Sequence, residues 1–419
     1  MARDNRWMGT APAVACVRTA TPSNVEIGDI FTLTITAPSG ESQSISYTAT
    51  AATVANVTAG LTDVWNSSTQ SLISAVTATD DTTHVTLTAD VAGEDFILSK
   101  STTNGSSNDT QDITLAEVTP SSGPKHYDTA ANWSAGEVPG EVADETVYIE
   151  DFSGDILYGL DQSGAAHVLA AFKISQTMTG KIGSNGIAGK AGDYLQIRTA
   201  KLEIGYQNGP GTAQGSGRIK IDTGTDACDI VIHNSGSGSD TGKPAVRLLT
   251  NSGGSAEASN LEVKKGKVGL AFEAGETSTI NNVLVGYVSN VASDSDVFIG
   301  EGVTVSAVSS NGGDIVQRCG STLNEISAGT LRIEGDGAIS TLNVSGGVVT
   351  SNSSGTITNL NVSGNSIVDF TKSKTSRTVT NPKLSSGGTI KYNKAHITFT
   401  NPVESITGGD EVDYKLSTV

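Results

Sequence analysis

The chain has 419 residues, of which 36% are apolar and 5% aromatic, with 48 glycines and a formal net charge of −18. That length suits two to four domains of roughly 100–200 residues each, and the acidic balance excludes broad binding to nucleic-acid phosphates, which such a surface repels. Low apolar content with abundant Gly, Ser and Thr leaves either disorder or a β-rich fold with many tight turns. Period-2 alternation recurs along most of the chain and selects β structure.

The densest basic spot, Lys264-Lys265-Gly266-Lys267, is too small to change the charge argument. Cys16, Cys228 and Cys319 are far apart and show no zinc spacing, so three unpaired thiols of a cytosol-made protein are expected. The start lacks an apolar run long enough for a signal peptide. No stretch approaches the ~20 apolar residues of a membrane span.

Residues 1–20 read as an irregular arm with Trp7 and Pro12 as its features. A Trp near a terminus is either a local core contact or an anchor on a partner, and both stay open. Residues 21–118 read as a compact domain. Phe31, Leu33 and Ile35 alternate with threonines, and Ile45 and Tyr47 continue in a second strand. One helix follows, with Thr53 as N-cap and Val54, Val57, Leu61, Val64 and Trp65 on one face. Further strands are expected around Val85–Ala89, Phe96–Leu98 and Ile113–Leu115, giving the order ββαβββ, a small α+β sandwich. Trp65 is expected in its core.

Pro120-Ser121-Ser122-Gly123-Pro124 is the best linker. In residues 126–160, Asn132-Trp133-Ser134 is followed by Pro139 and by Asp144-Glu145-Thr146-Val147-Tyr148-Ile149. Trp133 suits a cover over the open apolar end of a first coil, and Pro139 a block to strand pairing. Residues 161–400 carry short aliphatic strands separated by Gly, Ser and Asn, and residues 401–419 read as a terminal cap. The most regular feature is a repeated phrase: Ile339-Ser340-Thr341-Leu342-Asn343-Val344-Ser345-Gly346 returns eighteen residues later as Ile357-Thr358-Asn359-Leu360-Asn361-Val362-Ser363-Gly364. One alternating strand and a small-residue turn at such a period is the mark of a stacked coil.

Three segments resemble structural proteins of tailed-phage and prophage morphogenesis clusters. Arg6-Trp7-Met8-Gly9-Thr10-Ala11-Pro12-Ala13-Val14-Ala15 is similar to their W-x-G-x-A-P-A-V-A opening. The stretch from Gly28–Ile35 to Val91–Phe96 resembles a small domain of virion proteins, and Ile156–Ser163 a strand that opens their helical part. Asn132–Pro139 with Asp144–Ile149 is similar to the start of many secreted or virion β-helix proteins. The resemblance implies a virion component, often trimeric, displayed on a head or tail; with no signal run at the start, synthesis in the host cytoplasm is expected.

Chemistry is sparse. Glycan cleavage needs two carboxylates about 5–10 Å apart. Glu203, Asp222, Asp229, Glu262 and Glu273 are the candidates, with no two aligned by sequence. Tyr158, Tyr194, Tyr206, Tyr287 and Tyr392 are scattered, and no Trp follows Trp133. His84, His126, His167, His233 and His396 lack both a nucleophile elbow and paired metal spacing. The Gly-rich stretch from Gly183 to Gly192 has no phosphate-loop Lys-Ser/Thr. Asp240, Asp294, Asp296, Asp314 and Asp336 read as turn acids, which leaves structural Ca2+ open while favouring solvation.

The expectation is therefore a mainly β chain: an attachment arm (1–20), a small N-terminal α+β sandwich (21–118), a linker and opening cap (119–160), a right-handed parallel β-helix or β-solenoid (161–400), and a C-terminal cap (401–419). The expected function is a non-enzymatic virion structural protein, as capsid decoration or tail fibre or spike. A tailspike-like polysaccharide depolymerase or a bacterial surface adhesin is the alternative. Trp7, Met8, Pro12 and Val14 are the candidate assembly contacts; no catalytic or cofactor residue is assigned. The expected partners are two further copies in a homotrimer and other virion proteins, with a host surface glycan open and neither nucleic acid nor membrane.

Overall fold

The computed structural model describes residues 2–37, 40–105, 110–183, 194–206, 218–236, 244–251, 259–286, 295–405 and 415–418. Strand accounts for 50% and helix for 6%, so the protein is mainly β.

Residues 17–119 carry two small antiparallel sheets around their own core. One has the spatial order Val76–Asp80, Val85–Ala89, Val17–Ser23, Asp112–Thr119; the other Ser42–Thr48, Ile30–Thr36, Ile97–Thr103. Alternation sets the faces. Phe31, Leu33 and Ile35 are buried, while Thr32 and Thr34 bond across the outer face to Ser46 and Ser44 at 2.8 Å. The helix Val54–Ser67 (α1) begins at Thr53, whose hydroxyl accepts from the Asn56 amide at 3.3 Å. It turns Val57, Leu61 and Trp65 inward. Trp65 is fully buried and donates its indole N–H to the Val76 carbonyl at 2.7 Å, a core role.

Two features differ from the expected order. Val76–Asp80 is an additional strand, hidden in sequence because its second inward residue is only Ala78. Val17–Ser23 is one strand, so the antiparallel domain begins inside the segment read as an arm. The arm is also not irregular throughout: Arg3–Arg6 is a strand, paired in parallel with Glu145–Ile149.

Every named strand from Glu145 onward joins one large parallel sheet. Most strands pair with the second strand after them. Lys201–Tyr206 pairs with Asp229–Ile232, which pairs with Asn260–Val263; interleaved with these, Ile219–Asp222 pairs with Val246–Leu249, which pairs with Gly266–Leu270. Each pass of the chain thus adds a strand to each of two columns. From Ser278 a third, shorter column stacks Ile280, Val305, Ser321, Ile339, Ile357, Val379 and Phe399.

In-register stacking puts like residues over like. Leu202, Ile230, Leu261, Val283 and Val308 form one buried column, continued after one interruption by Leu342 and Leu360. The repeated phrases lie directly over each other: Ile339 on Ile357, Leu342 on Leu360, Val344 on Val362, all buried. On the outer face asparagines hand hydrogen bonds from layer to layer, Asn401 to Asn381 at 2.7 Å, Asn381 to Asn359 at 2.9 Å and Asn361 to Asn343 at 2.8 Å. One corner demands glycine. Gly329 and Gly347 have φ of 82° and 75°, and a Cβ on Gly347 would lie 2.3 Å from the Gly329 carbonyl oxygen.

The interruption is Asn324, fully buried between Val308 and Leu342. It belongs to a closed polar ring: Asn324 donates to Gln317 Oε1 at 2.8 Å, Gln317 donates to Ser321 Oγ at 3.2 Å, and Ser321 donates to Asn324 Oδ1 at 2.7 Å. Asn324→Ala removes both a donor and an acceptor from this ring and is expected to cost about 1–3 kcal/mol. Leu360→Ala, which opens a void in the aliphatic column, is expected to cost about 2–5 kcal/mol. Denaturant unfolding of both variants checks the ranking.

Candidate functional site

Two regions concentrate side chains beyond the needs of the stack. The first is the N-terminal end of the large sheet. Trp7, Tyr127 and Trp133 close it, with Trp7 and Trp133 edge to face at a centroid distance of 4.9 Å. Trp133 is 1% exposed and donates its N–H to the Tyr127 carbonyl at 2.8 Å. Beneath them the fully buried Glu145 carboxylate accepts from Arg3 at 2.7 Å, Asn5 at 2.9 Å and the Gly140 amide at 2.7 Å. Asn132 binds the flanking segments, accepting from the Ala11 amide at 2.8 Å and donating to the Gly123 and His126 carbonyls at 2.8 Å each. The Pro120–Pro124 linker is therefore held at Gly123.

Of the four candidate assembly residues, Trp7 is 5% exposed and is a core contact within this chain. Met8 is 45% exposed and Val14 39%, and Pro12 is exposed beside them. Sequence brings the four together; the structure separates one inward residue from three outward ones.

The second region is a groove of about 630 Å³ on the outer face of the column that contains Gly266–Leu270. Register builds it. Lys267, Asp296, Asp314 and Thr330 lie one above another on successive strands, and beside them run Gly269, Phe298, Val316 and Arg332. Phe272 meets Phe298 edge to face at 4.8 Å. Arg247 sits over Phe272 at 5.0 Å and Arg318 over Phe298 at 4.9 Å. Gly269 is required here: a Cβ would lie 2.7 Å from Pro244 Cγ and 2.9 Å from Phe272 Cβ. Lys267 pairs with Asp296 at 3.1 Å, Arg247 with Glu273 at 2.5 Å, and Arg318 and Arg332 share Glu334 at 2.9 and 2.8 Å. The Thr330 hydroxyl donates to Asp314.

This overturns the reading of Asp296 and Asp314 as turn acids. Both lie in strands, Ser295–Ile299 and Val303–Gln317, and are partners across the ladder. Their Ser and Gly neighbours hid the strands. Asp336 lies in a bend; Asp240, Asp294 and Tyr287 fall outside the described residues, as does most of the Gly183–Gly192 stretch. Among the described residues no group of three or more His, Cys, Asp or Glu side chains is placed to hold a metal ion.

The carboxylates weighed for glycan cleavage are spread over more than one column. Glu203 and Glu262 share a column with Val231 between them. Asp229 stacks between Lys201 and Asn260, Asp222 pairs with Leu249 in another column, and Glu273 borders the groove. Burial pushes the Asp222 carboxyl up, against a hydrogen bond from the Gly224 amide. Burial also pushes the thiols of Cys16 and Cys319 up, to about 11 and about 12, and that of Cys228 higher; all three are free and buried, which makes them unreactive. Tyr206 donates to Glu150, and Tyr194 to Glu276 at 2.7 Å. His126 is buried against Tyr158, at a ring distance of 4.6 Å, and Tyr392 packs on Phe399. His84 contacts Asp81 and His233 contacts Glu203.

Comparisons with protein-family models, with curated proteins and with solved structures returned no match to this chain.

Partial burial alone would raise the Glu203 carboxyl, but Lys173 and Lys201, each 3.0 Å away, outweigh it and hold it at about 2, down from 4.5. The folded state therefore gains from ionised Glu203 above about pH 4.5 and loses that gain as pH falls towards 2. Glu203→Gln is expected to narrow the stability difference between neutral and acid pH, measured as the shift in thermal midpoint. An unchanged difference would contradict the assignment. Trp7→Ala is expected to destabilise the fold by about 3–5 kcal/mol, read by the same melts, because it uncovers Tyr127 and Trp133.

Proposed function

We propose that the chain is a non-enzymatic structural protein of a phage-type virion, displayed on the particle surface as capsid decoration or as a tail fibre or spike and attached through its N-terminal region. In this reading the interleaved parallel columns are the faces of a right-handed β-helix, a stiff rod closed at its start by Trp7 and Trp133. The observation that carries it is the parallel pairing of the described strands from Arg3–Arg6 to Lys415–Thr418 in one sheet, in register except at Ile174/Ser175 and between Ser310 and Asp314. Pairing with the second strand onward is what a coiling chain produces and what an up-and-down barrel does not. Such a scaffold satisfies its backbone bonds along one axis and resists bending.

Three further observations support this reading. The opening segments resemble virion proteins. The buried, unpaired Cys16, Cys228 and Cys319 suit synthesis in a reducing cytoplasm and release by lysis. The charge of −18 disfavours nucleic acid and an anionic membrane surface as partners. In this reading the chain assembles as a homotrimer, an arrangement in which three rods would bury their flanks without an open-ended chain of contacts. Attachment falls to Met8, Pro12 and Val14, the exposed part of the opening segment.

Particle reconstruction together with a Met8→Asp/Val14→Asp variant tests this. The expected result is density for three copies on head or tail, and loss of particle association in the variant with stability changed by no more than about 0.5 kcal/mol, as for exposed sites. A soluble monomer absent from particles would overturn the proposal.

A further inference from the structure

We propose that the groove along Lys267, Asp296 and Asp314 is a binding site for an extended, uncharged glycan. The inference goes beyond the structural role above and stands without it. The volume, about 630 Å³, lies within the range of small-ligand clefts. Its floor is the outer face of strands whose backbone groups are already bonded to the strands above and below. A peptide therefore has no strand edge to extend, and recognition falls to side chains.

Those side chains alternate in the way a polyhydroxylated chain requires. Along the axis a donor (Lys267), two acceptors (Asp296, Asp314) and a hydroxyl (Thr330) recur once per strand, at steps of about 4.8 Å. That step is close to the advance of one sugar unit in an extended polysaccharide, so successive sugars meet successive strands. Beside this row, Phe272 and Phe298 line the groove and add apolar surface to it. Charge decides between ligand classes. Lys267, Arg247, Arg318 and Arg332 are matched by Glu273, Asp296, Asp314 and Glu334 in and beside the groove. A polyanion would have to pass the two stacked aspartates, and a polycation the arginines; a neutral glycan meets both rows as hydrogen-bond partners. Asp296 and Asp314 are adjacent in register, Asp296 paired with Lys267 and Asp314 accepting from Thr330; the proposal is for binding, and an assay for released reducing ends tests whether the pair also cleaves.

The test uses the full-length chain on an array of immobilised neutral and acidic bacterial polysaccharides, followed by titration with oligosaccharides of whichever neutral polymer binds. Binding to a neutral polysaccharide is expected, weakened roughly tenfold, or about 1.4 kcal/mol, by Phe298→Ala and by Asp314→Asn. Asp314→Asn is nearly isosteric and guards against a folding artefact in the Phe298 variant. Lys383→Ala, on a different column, is expected to bind as the parent does. No binding to any neutral polymer, binding only to acidic ones, or binding indifferent to both groove substitutions would overturn the inference. Release of reducing ends from the bound polymer would overturn the non-enzymatic role and the binding-only reading of Asp296 and Asp314, while leaving the location of the glycan site intact, so the two proposals fail separately.

Discussion

A parallel stack has an end, and the way this one is closed governs the rest of the molecule. The first layer is assembled from two distant pieces of chain, Arg3–Arg6 and Glu145–Ile149. Glu145 holds them together. Its carboxylate is fully buried, a costly placement unless it is paired and hydrogen-bonded, and Arg3, Asn5 and the Gly140 amide each donate to it. Above it Trp7 and Trp133 keep water from the aliphatic columns. The antiparallel domain of residues 17–119 is therefore an excursion between two parts of one layer. Its exit and return are both anchored, at Val14 to Ser122 and at Asn132 to Gly123.

Stacking in register then amplifies whatever residue a position carries. An aliphatic residue becomes a column, an asparagine becomes a hydrogen-bonded ladder, and a tight corner such as Gly347 leaves no room for its own Cβ against the carbonyl of the neighbouring layer. The same rule brings charges into line: Lys173 lies over Glu203, and Lys267 over Asp296. The Gln317–Ser321–Asn324 ring is the exception that shows the rule's cost. A polar residue inside the column is tolerated because Gln317 and Ser321 complete its hydrogen bonds.

The sequence was most legible where spacing is constant. Leu342 and Leu360 could be matched because both alternation and coil length repeat, and the stack follows them. The helix was legible through Thr53 and its apolar face, and Trp133 through its position before a strand. Arg3–Arg6 was not, because a strand of four polar residues carries no alternation; it is a strand only because Glu145–Ile149 offers it an edge. The groove was invisible for a related reason. Asp296 and Asp314 sit amid Ser and Gly, and their adjacency depends on register, which cannot be counted through coils of unequal length. Lys173 meets Glu203, Glu203 meets Val231 and Val231 meets Glu262 at intervals that differ each time.

These constraints also decide where a site can be. One end of the stack is covered by aromatic rings, and the strand edges within it are consumed by pairing. What remains for recognition is the outer flank, where side chains repeat once per layer. At the groove, acids and bases balance within short distances, and paired charges there act as fixed dipoles rather than as a net field. A surface of that kind has little pull on a distant ion but many directed donors and acceptors at contact. It favours an uncharged, hydroxyl-rich chain lying along the stacking axis over any partner that must be steered in by charge.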